Sequence, residues 1–182
     1  MPKQPYAAFY RNLNLGRARC PSKAELEEAF HEAGAKTASS FLVNGTIAFE
    51  ATSAREAERI VARASASMNE RCGLVEPAFV RAIPYLAALV ASDPFAGVDR
   101  ADIYDVYVTF LAPKVVVTDA TPRSTPRKDV EVVRFTDAEA LCISRKITKS
   151  PGSPNALFEK AFERPATTRA WNTVVRLVAK HG

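Results

Sequence analysis

The sequence predicts an α+β protein of two βαββαβ-type units, the second less regular, with a C-terminal amphipathic helix. Three observations carry that expectation. Helix-start signals precede two apolar stripes in the first half, and an Asn-Gly dipeptide separates two β-rich runs. The 182 residues also suffice for two small units.

Tyr6 to Arg11 reads as the first strand. Ser22 with Glu25 three residues later forms a capping-box pattern, which satisfies two exposed backbone donors. Leu26, Ala29, Phe30 and Ala33 make the stripe of that helix, and Gly34 stops it. Asn44-Gly45 suits a type I′ hairpin, because both residues tolerate positive φ. Ser53 to Glu56 caps a second helix with Ala57, Ile60, Val61, Ala64 and Met68 inward, ended by Gly73. Val75 to Ile83 supplies another strand. The order is βαββαβ, the ferredoxin-like arrangement, over residues 1–82.

Residues 83–182 read as a second α+β unit with basic C-terminal helices, and no repeat aligns with the first half residue by residue. Ile83 to Ala91 should form a short helix and Ile103 to Leu111 a buried strand. The Pro-, Ser- and Thr-rich stretch within 119–130 reads as an exposed loop. Val130–Phe135 and Leu141–Ile147 should pair around Thr136-Asp137, and two helices follow near 154–163 and 168–180.

Composition is that of an ordinary globular chain, with 47% hydrophobic and 25% charged residues. The apolar run Ile83–Ala91 is far shorter than a bilayer span, and Arg11 and Asn12 interrupt any signal-peptide layout. Cys20, Cys72 and Cys142 are odd in number and widely spaced, which points to reduced thiols and a cytoplasmic protein. Charge is unevenly placed. Residues 1–113 hold 12 basic and 13 acidic side chains, whereas residues 114–182 hold 13 basic and 7 acidic. That asymmetry points to an anionic partner.

Five stretches resemble, in order, a bacterial family catalogued as a domain of unknown function, number 1697. Its members open with a strand ending in Arg-Gly-Ile-Asn-Val-Gly, matched by Arg11-Asn12-Leu13-Asn14-Leu15-Gly16. A helix beginning at proline corresponds to Pro21–Leu26, a hairpin to Phe41–Thr46, and an Asn-Pro-Phe element to Asp93-Pro94-Phe95. The closing pattern Thr-x-Arg-Asn-Trp-Asn-Thr corresponds to Thr167–Thr173, with Ala170 in place of an asparagine. Val43, Thr46 and Pro154 also depart from the pattern, the last within a poorly kept Arg-Ser-Lys-Leu element. The resemblance implies the scaffold and names no reaction.

Two places could hold a ligand. In a βαββαβ unit the first strand's exit and the second hairpin turn share one end of the sheet. Arg11, Asn12 and Asn14, with the amides near Gly16, Asn44 and Gly45, would then line a cradle for an anion. Tight-turn formation explains the same residues without a ligand. On the last predicted helix, Arg169, Thr173, Arg176 and Lys180 form a polar stripe beside Asn172, opposite Trp171, Val174, Val175 and Val178. Arg169 would lie in the first turn, against the helix dipole. The run Ser144–Ser150 with Arg123, Arg127 and Lys128 extends the positive charge.

Catalytic material is sparse. The histidines, His31 and His181, lie far apart in sequence, and no P-loop or dinucleotide fingerprint is present. Asp99, Asp102 and Asp105 read as an acidic turn more simply than as a metal site, and no cofactor or metal is expected. The leading expectation is a non-catalytic or regulatory module that binds a phosphate-bearing ligand, with nucleic acid as one candidate, and no membrane partner. The alternatives are an enzyme acting on a small anionic metabolite at the Arg11–Gly16 loop and Asn44-Gly45 turn, and a structural protein–protein interaction module.

Overall fold

Local chemistry sets the first half of the chain. A computed structural model describes residues 2–147 and 149–182. Strand β1 (Gln4–Tyr10) leads to helix α1 (Lys23–Glu32), where Ser22 and Glu25 complete the reciprocal capping box. Strands β2 (Ala38–Phe41) and β3 (Thr46–Ala51) follow, then helix α2 (Ala54–Cys72). The Ser53 hydroxyl accepts from the Glu56 amide, and Gly73 closes α2 in the left-handed conformation at φ 74°. Strand β4 (Ala78–Ala82) completes the unit. The sheet order is β2-β3-β1-β4, antiparallel throughout, which is the ferredoxin-like topology.

The core of this unit packs one sheet face, including Tyr6, Ala8, Tyr10, Ile47 and Phe49, against the stripes of α1 and α2. Arg71 of α2 reaches Glu28 and Glu32 of α1, tying the two helices together at their surface. The opposite face carries Ala7, Phe9, Ala48 and Phe79, which are buried as well. On the edge strand, the Ser40 amide donates to the Glu27 carboxylate at 2.7 Å, so a side chain blunts an open β edge.

Helix α3 (Ile83–Ala91) precedes the second sheet, of strands β5 (Ile103–Leu111), β6 (Val130–Phe135), β7 (Glu139–Arg145) and β8 (Ala166–Ala170). Helix α4 (Pro154–Phe162) joins β7 to β8, and α5 (Trp171–His181) ends the chain. The order β6-β7-β5-β8 repeats the first unit's arrangement strand for strand. One element differs: residues 112–129 form a loop where the first unit has α1. Pro113, Pro122 and Pro126 oppose a helix there. Val115 and Val117 of the loop pack on the core formed by Leu111, Val130, Ala140, Cys142, Phe158 and Ala166.

By packing, the chain divides into Met1–Ala88 with Leu177–Gly182, and Leu89–Arg176. The division falls within α3 and within α5. Among the described residues no helix is long and apolar enough to cross a membrane.

Three expectations need correction. The hairpin between β2 and β3 is a four-residue turn, since Phe41 pairs with Thr46. Leu42 and Gly45, rather than Asn44 and Gly45, take positive φ. The register follows from β1 and its following loop: Tyr10 donates to the Gly45 carbonyl at 2.9 Å and Leu15 to that of Val43 at 2.8 Å. The fourth strand begins at Ala78, and Val75 lies outside it, 82% exposed. The last helix begins at Trp171, because Ala166–Ala170 pairs as a strand along β5.

Gly45 combines a left-handed backbone with a close neighbour. Its φ is +69°, and an added Cβ would lie 2.7 Å from the Leu13 Cβ. Gly16, at φ +78°, has open space around it. Gly45→Ala should therefore cost about 2 kcal/mol of folding stability, against about 1 kcal/mol for Gly16→Ala. Urea denaturation of the two variants checks this, and equal losses would contradict the close packing of Leu13 on the turn.

Candidate functional site

The first strand's exit and the second hairpin turn do share one end of the sheet, because β3 runs antiparallel between β1 and β2. Several of the polar groups of the Arg11–Gly16 loop are engaged internally. Arg11 Nη1 lies 2.6 Å from Glu76, and Asn12 Nδ2 donates to the other oxygen of the same carboxylate at 3.3 Å. The Gly16 amide donates to the Pro21 carbonyl at 2.9 Å, and the Asn14 carbonyl accepts from the Arg17 amide. Gly45 is buried under Leu13.

The predicted stripe of Arg169, Thr173, Arg176 and Lys180 is not formed. Arg169 sits on β8 opposite Val108, 8% exposed, with Nη1 donating to Thr167 Oγ1 at 2.8 Å and to the Thr168 carbonyl at 2.9 Å. Burial pushes its guanidinium down to about 10. Thr173 is buried, and only Asn172, Arg176 and Lys180 remain exposed. The inward residues of α5 are Trp171, Thr173, Val174 and Leu177. Trp171 meets Phe95 edge-on at 5.4 Å, a core contact.

The structure unites two residues that sequence separation kept apart. His31 and His181 both line a cleft of about 750 Å³ in the first unit, with Pro5, Thr37, Ser39, Phe49 and Glu50 among its walls. It opens at the end of the sheet opposite the Arg11–Gly16 loop, beside the start of β1 and the end of β3. His31 Nδ1 lies 3.1 Å from the Ala35 carbonyl, and Thr37 Oγ1 donates to Glu50 at 3.0 Å. The His181 ring meets Phe41 edge-on at 6.5 Å, and its Nε2 is shielded without a hydrogen-bond partner among the described residues. The tertiary fold brings these histidines to one cleft, which no local motif could announce.

The second unit gathers positive charge at one end. Residues 123–125 extend the sheet outside β6: Ser124 bridges Glu131, Val132 donates to the Arg123 carbonyl at 2.8 Å, and Thr125 donates to that of Val130 at 3.1 Å. The tip between them holds Arg127 and Lys128, with Lys128 at φ 57°. The Arg145 amide donates to the Asp129 carbonyl at 2.9 Å, which joins this tip to the run after β7. Gly152 folds back over it, where a Cβ would lie 2.6 Å from Val130. Lys146 fixes the run on its other side, through its amide to Asp102 at 2.9 Å and its Nζ to Ala101 at 3.1 Å.

Arg127, Lys128, Lys146 and Lys149 are exposed, and among the described residues none of the four has an ion-pair partner. Arg145 is the exception, pairing with Glu131 at 2.7 Å. Thr148, within the predicted basic run, lies outside the described residues. The neighbouring aspartates act on backbone: Asp99 accepts from Ala101 and Asp105 from Val106. Among the described residues no group of three or more His, Cys, Asp or Glu side chains is placed to hold a metal ion.

Comparison with known families gives one match, over residues 3–140, to the family described as "Protein of unknown function (DUF1697)". The chain belongs to this family. The solved structure of the conserved bacterial protein SP0830 from Streptococcus pneumoniae is similar over 100% of this chain and 100% of its own, with a TM-score of 0.67 at 16% identity. At that identity the likeness concerns the fold alone. No curated protein matches the sequence.

The histidine cleft generates a pH prediction. Burial, and secondarily Lys180, holds the His181 pKa below its ordinary 6.5. The unfolded chain therefore takes up this proton at higher pH than the folded one. The stability tied to a neutral His181 is complete above pH 6.5 and declines as pH falls through the folded-state value. His181→Phe should flatten the dependence of unfolding midpoint on pH below 6.5. Parallel curves for the variant and the wild type would contradict the half-buried, neutral ring.

Proposed function

We propose that this protein is a non-catalytic binding module that engages nucleic acid through the basic end of its second unit. The observation that carries this reading is the Arg145-to-Asp129 backbone bond, which holds the 126–128 tip against Arg145 and Lys146. Two short cationic segments, Arg127-Lys128 and Arg145-Lys146, are thereby brought together. Four exposed cations, with Lys128 and Lys146 on hydrogen-bonded backbone, suit phosphate oxygens spaced along a polymer better than one small metabolite.

The sheets themselves support this choice by elimination. Strands β1, β3 and β7 are buried on both faces along most of their length, which leaves little open sheet face for bases to stack across as they do in sheet-based RNA readers. Recognition through loops then rests mainly on charge and tolerates sequence variation. A metabolite site at the Arg11–Gly16 loop has weaker support, since Glu76 offsets Arg11 and the Gly16 amide is already bonded. The three free cysteines support a reducing, cytoplasmic setting.

Fluorescence anisotropy with short labelled oligonucleotides across a salt series tests the reading. Four phosphate contacts predict a log–log salt slope of roughly −3, with micromolar-class affinity near physiological salt. An Arg127→Ala, Lys128→Ala double variant should lower the magnitude of that slope by about 1 to 2. Arg11→Ala should leave binding unchanged. Absence of binding at low salt, or equal binding by the double variant, would overturn the proposal.

A further inference from the structure

We infer that the cleft lined by His31, Glu50 and His181 binds a small organic amine, with the ammonium group at the Glu50 carboxylate and an apolar body along Pro5 and Ala48. The cleft belongs to the first unit, so the inference stands apart from the reading of the second unit's basic end. Its volume of about 750 Å³ falls within the range of small-molecule sites, roughly 300–1,000 Å³. Its lining is more apolar than polar, as in such sites. The strand register explains how that lining assembles. Pro5 on β1 pairs with Glu50 on β3, and Ser39 on β2 pairs with Ala48 on β3. Directly opposed residues share a face, and strand alternation puts Ala48 and Glu50 on the same one. Pro5, Ser39, Ala48 and Glu50 therefore form one floor, to which α1 adds His31 and α5 adds His181.

Charge decides which ligand fits. Glu50 is the acidic side chain of the lining, and among the described residues it has no ion-pair partner. Thr37 Oγ1 donates to its Oε2 at 3.0 Å. One hydroxyl leaves most of that capacity open, since an ionised carboxylate offers about four acceptor sites. Both histidines lie in the last turns of their helices, where the helix carries partial negative charge. His31 Nδ1 faces the Ala35 carbonyl, so Nδ1 carries hydrogen and Nε2 of the neutral ring is an acceptor. Burial keeps His181 uncharged near neutral pH. Lys180 is the opposing charge, but its Nζ lies over the Phe41 ring at 5.9 Å and it is not part of the lining. A carboxylate open to water needs no ligand. Here a half-buried carboxylate stands beside apolar walls and two helix ends, and a cation with an apolar body suits both. An anion would meet Glu50, and a neutral apolar molecule would desolvate it without compensation.

Amide and histidine-ring NMR of the intact chain tests this. The probe is phenethylamine, with phenethyl alcohol and hydrocinnamate as its neutral and anionic counterparts. Near neutral pH and at low salt the amine should bind with about millimolar affinity or better, moving the signals of His31, Ala48, Glu50 and His181. The alcohol and the acid should each bind at least about tenfold more weakly, as loss of a charged hydrogen bond implies. Glu50→Gln keeps the shape of the side chain and should weaken amine binding about tenfold while sparing the alcohol. Equal affinity for amine and alcohol, or unchanged amine affinity in Glu50→Gln, would overturn the inference. Absence of shifts at millimolar amine, or shifts confined to other residues, would overturn it as well. The wild-type ranking of the three probes needs no variant, and the amide spectrum of Glu50→Gln reports its fold. Oligonucleotide binding reads the second unit separately, so failure of one reading leaves the other standing.

Discussion

The constraint on which the rest of this structure depends is that strands β1, β3 and β7 lie out of water on both faces. Residues Ala7 to Tyr10 of β1 and Glu139 to Ser144 of β7 are buried without interruption. Strands buried on both faces read as continuous apolar runs, not as alternating ones. Polar chemistry is thereby displaced to strand ends, loops and helix surfaces. Two polar groups that do lie inside have partners: Arg169 donates to Thr167 and Thr168, and Glu139 accepts from Thr136 Oγ1 at 2.6 Å.

The two units solve the same packing problem with different material. Both use one sheet order, but the second lacks the helix between its first two strands. The loop that takes its place covers part of the core with Val115 and Val117. It then adds residues 123–125 to the sheet edge and exposes Arg127 and Lys128 at its tip. A helix in that position would leave no such tip. The departure from regular topology is thus what creates the cationic surface.

Much of the fold could be read locally. The Ser22 and Ser53 caps, the Gly73 stop and the stripes of α1 and α2 depend on contacts within a few residues, and all appear as expected. Strand β8 did not, because Thr167 and Thr168 are good helix caps and the spacing after Trp171 is helical. Only pairing with β5, some 60 residues away, selects the extended form. That error carried Arg169 onto a solvent-facing stripe, whereas the sheet buries it. The basic segments around 127 and 145 were visible as composition, but the backbone bond that unites them was not. The cleft shared by His31 and His181 had no local signal at all. The family match ends at residue 140, so the second unit's final strands and helices rest on the structure and on the whole-chain likeness.

The most direct test is amide chemical-shift mapping of the isotope-labelled protein during titration with a short oligonucleotide. The account predicts shifts concentrated at residues 126–129 and 145–149, with the amides of Leu15, Gly16 and Gly45 unmoved. Shifts confined to the Arg11–Gly16 loop or to the histidine cleft, or no shifts at low salt, would contradict it.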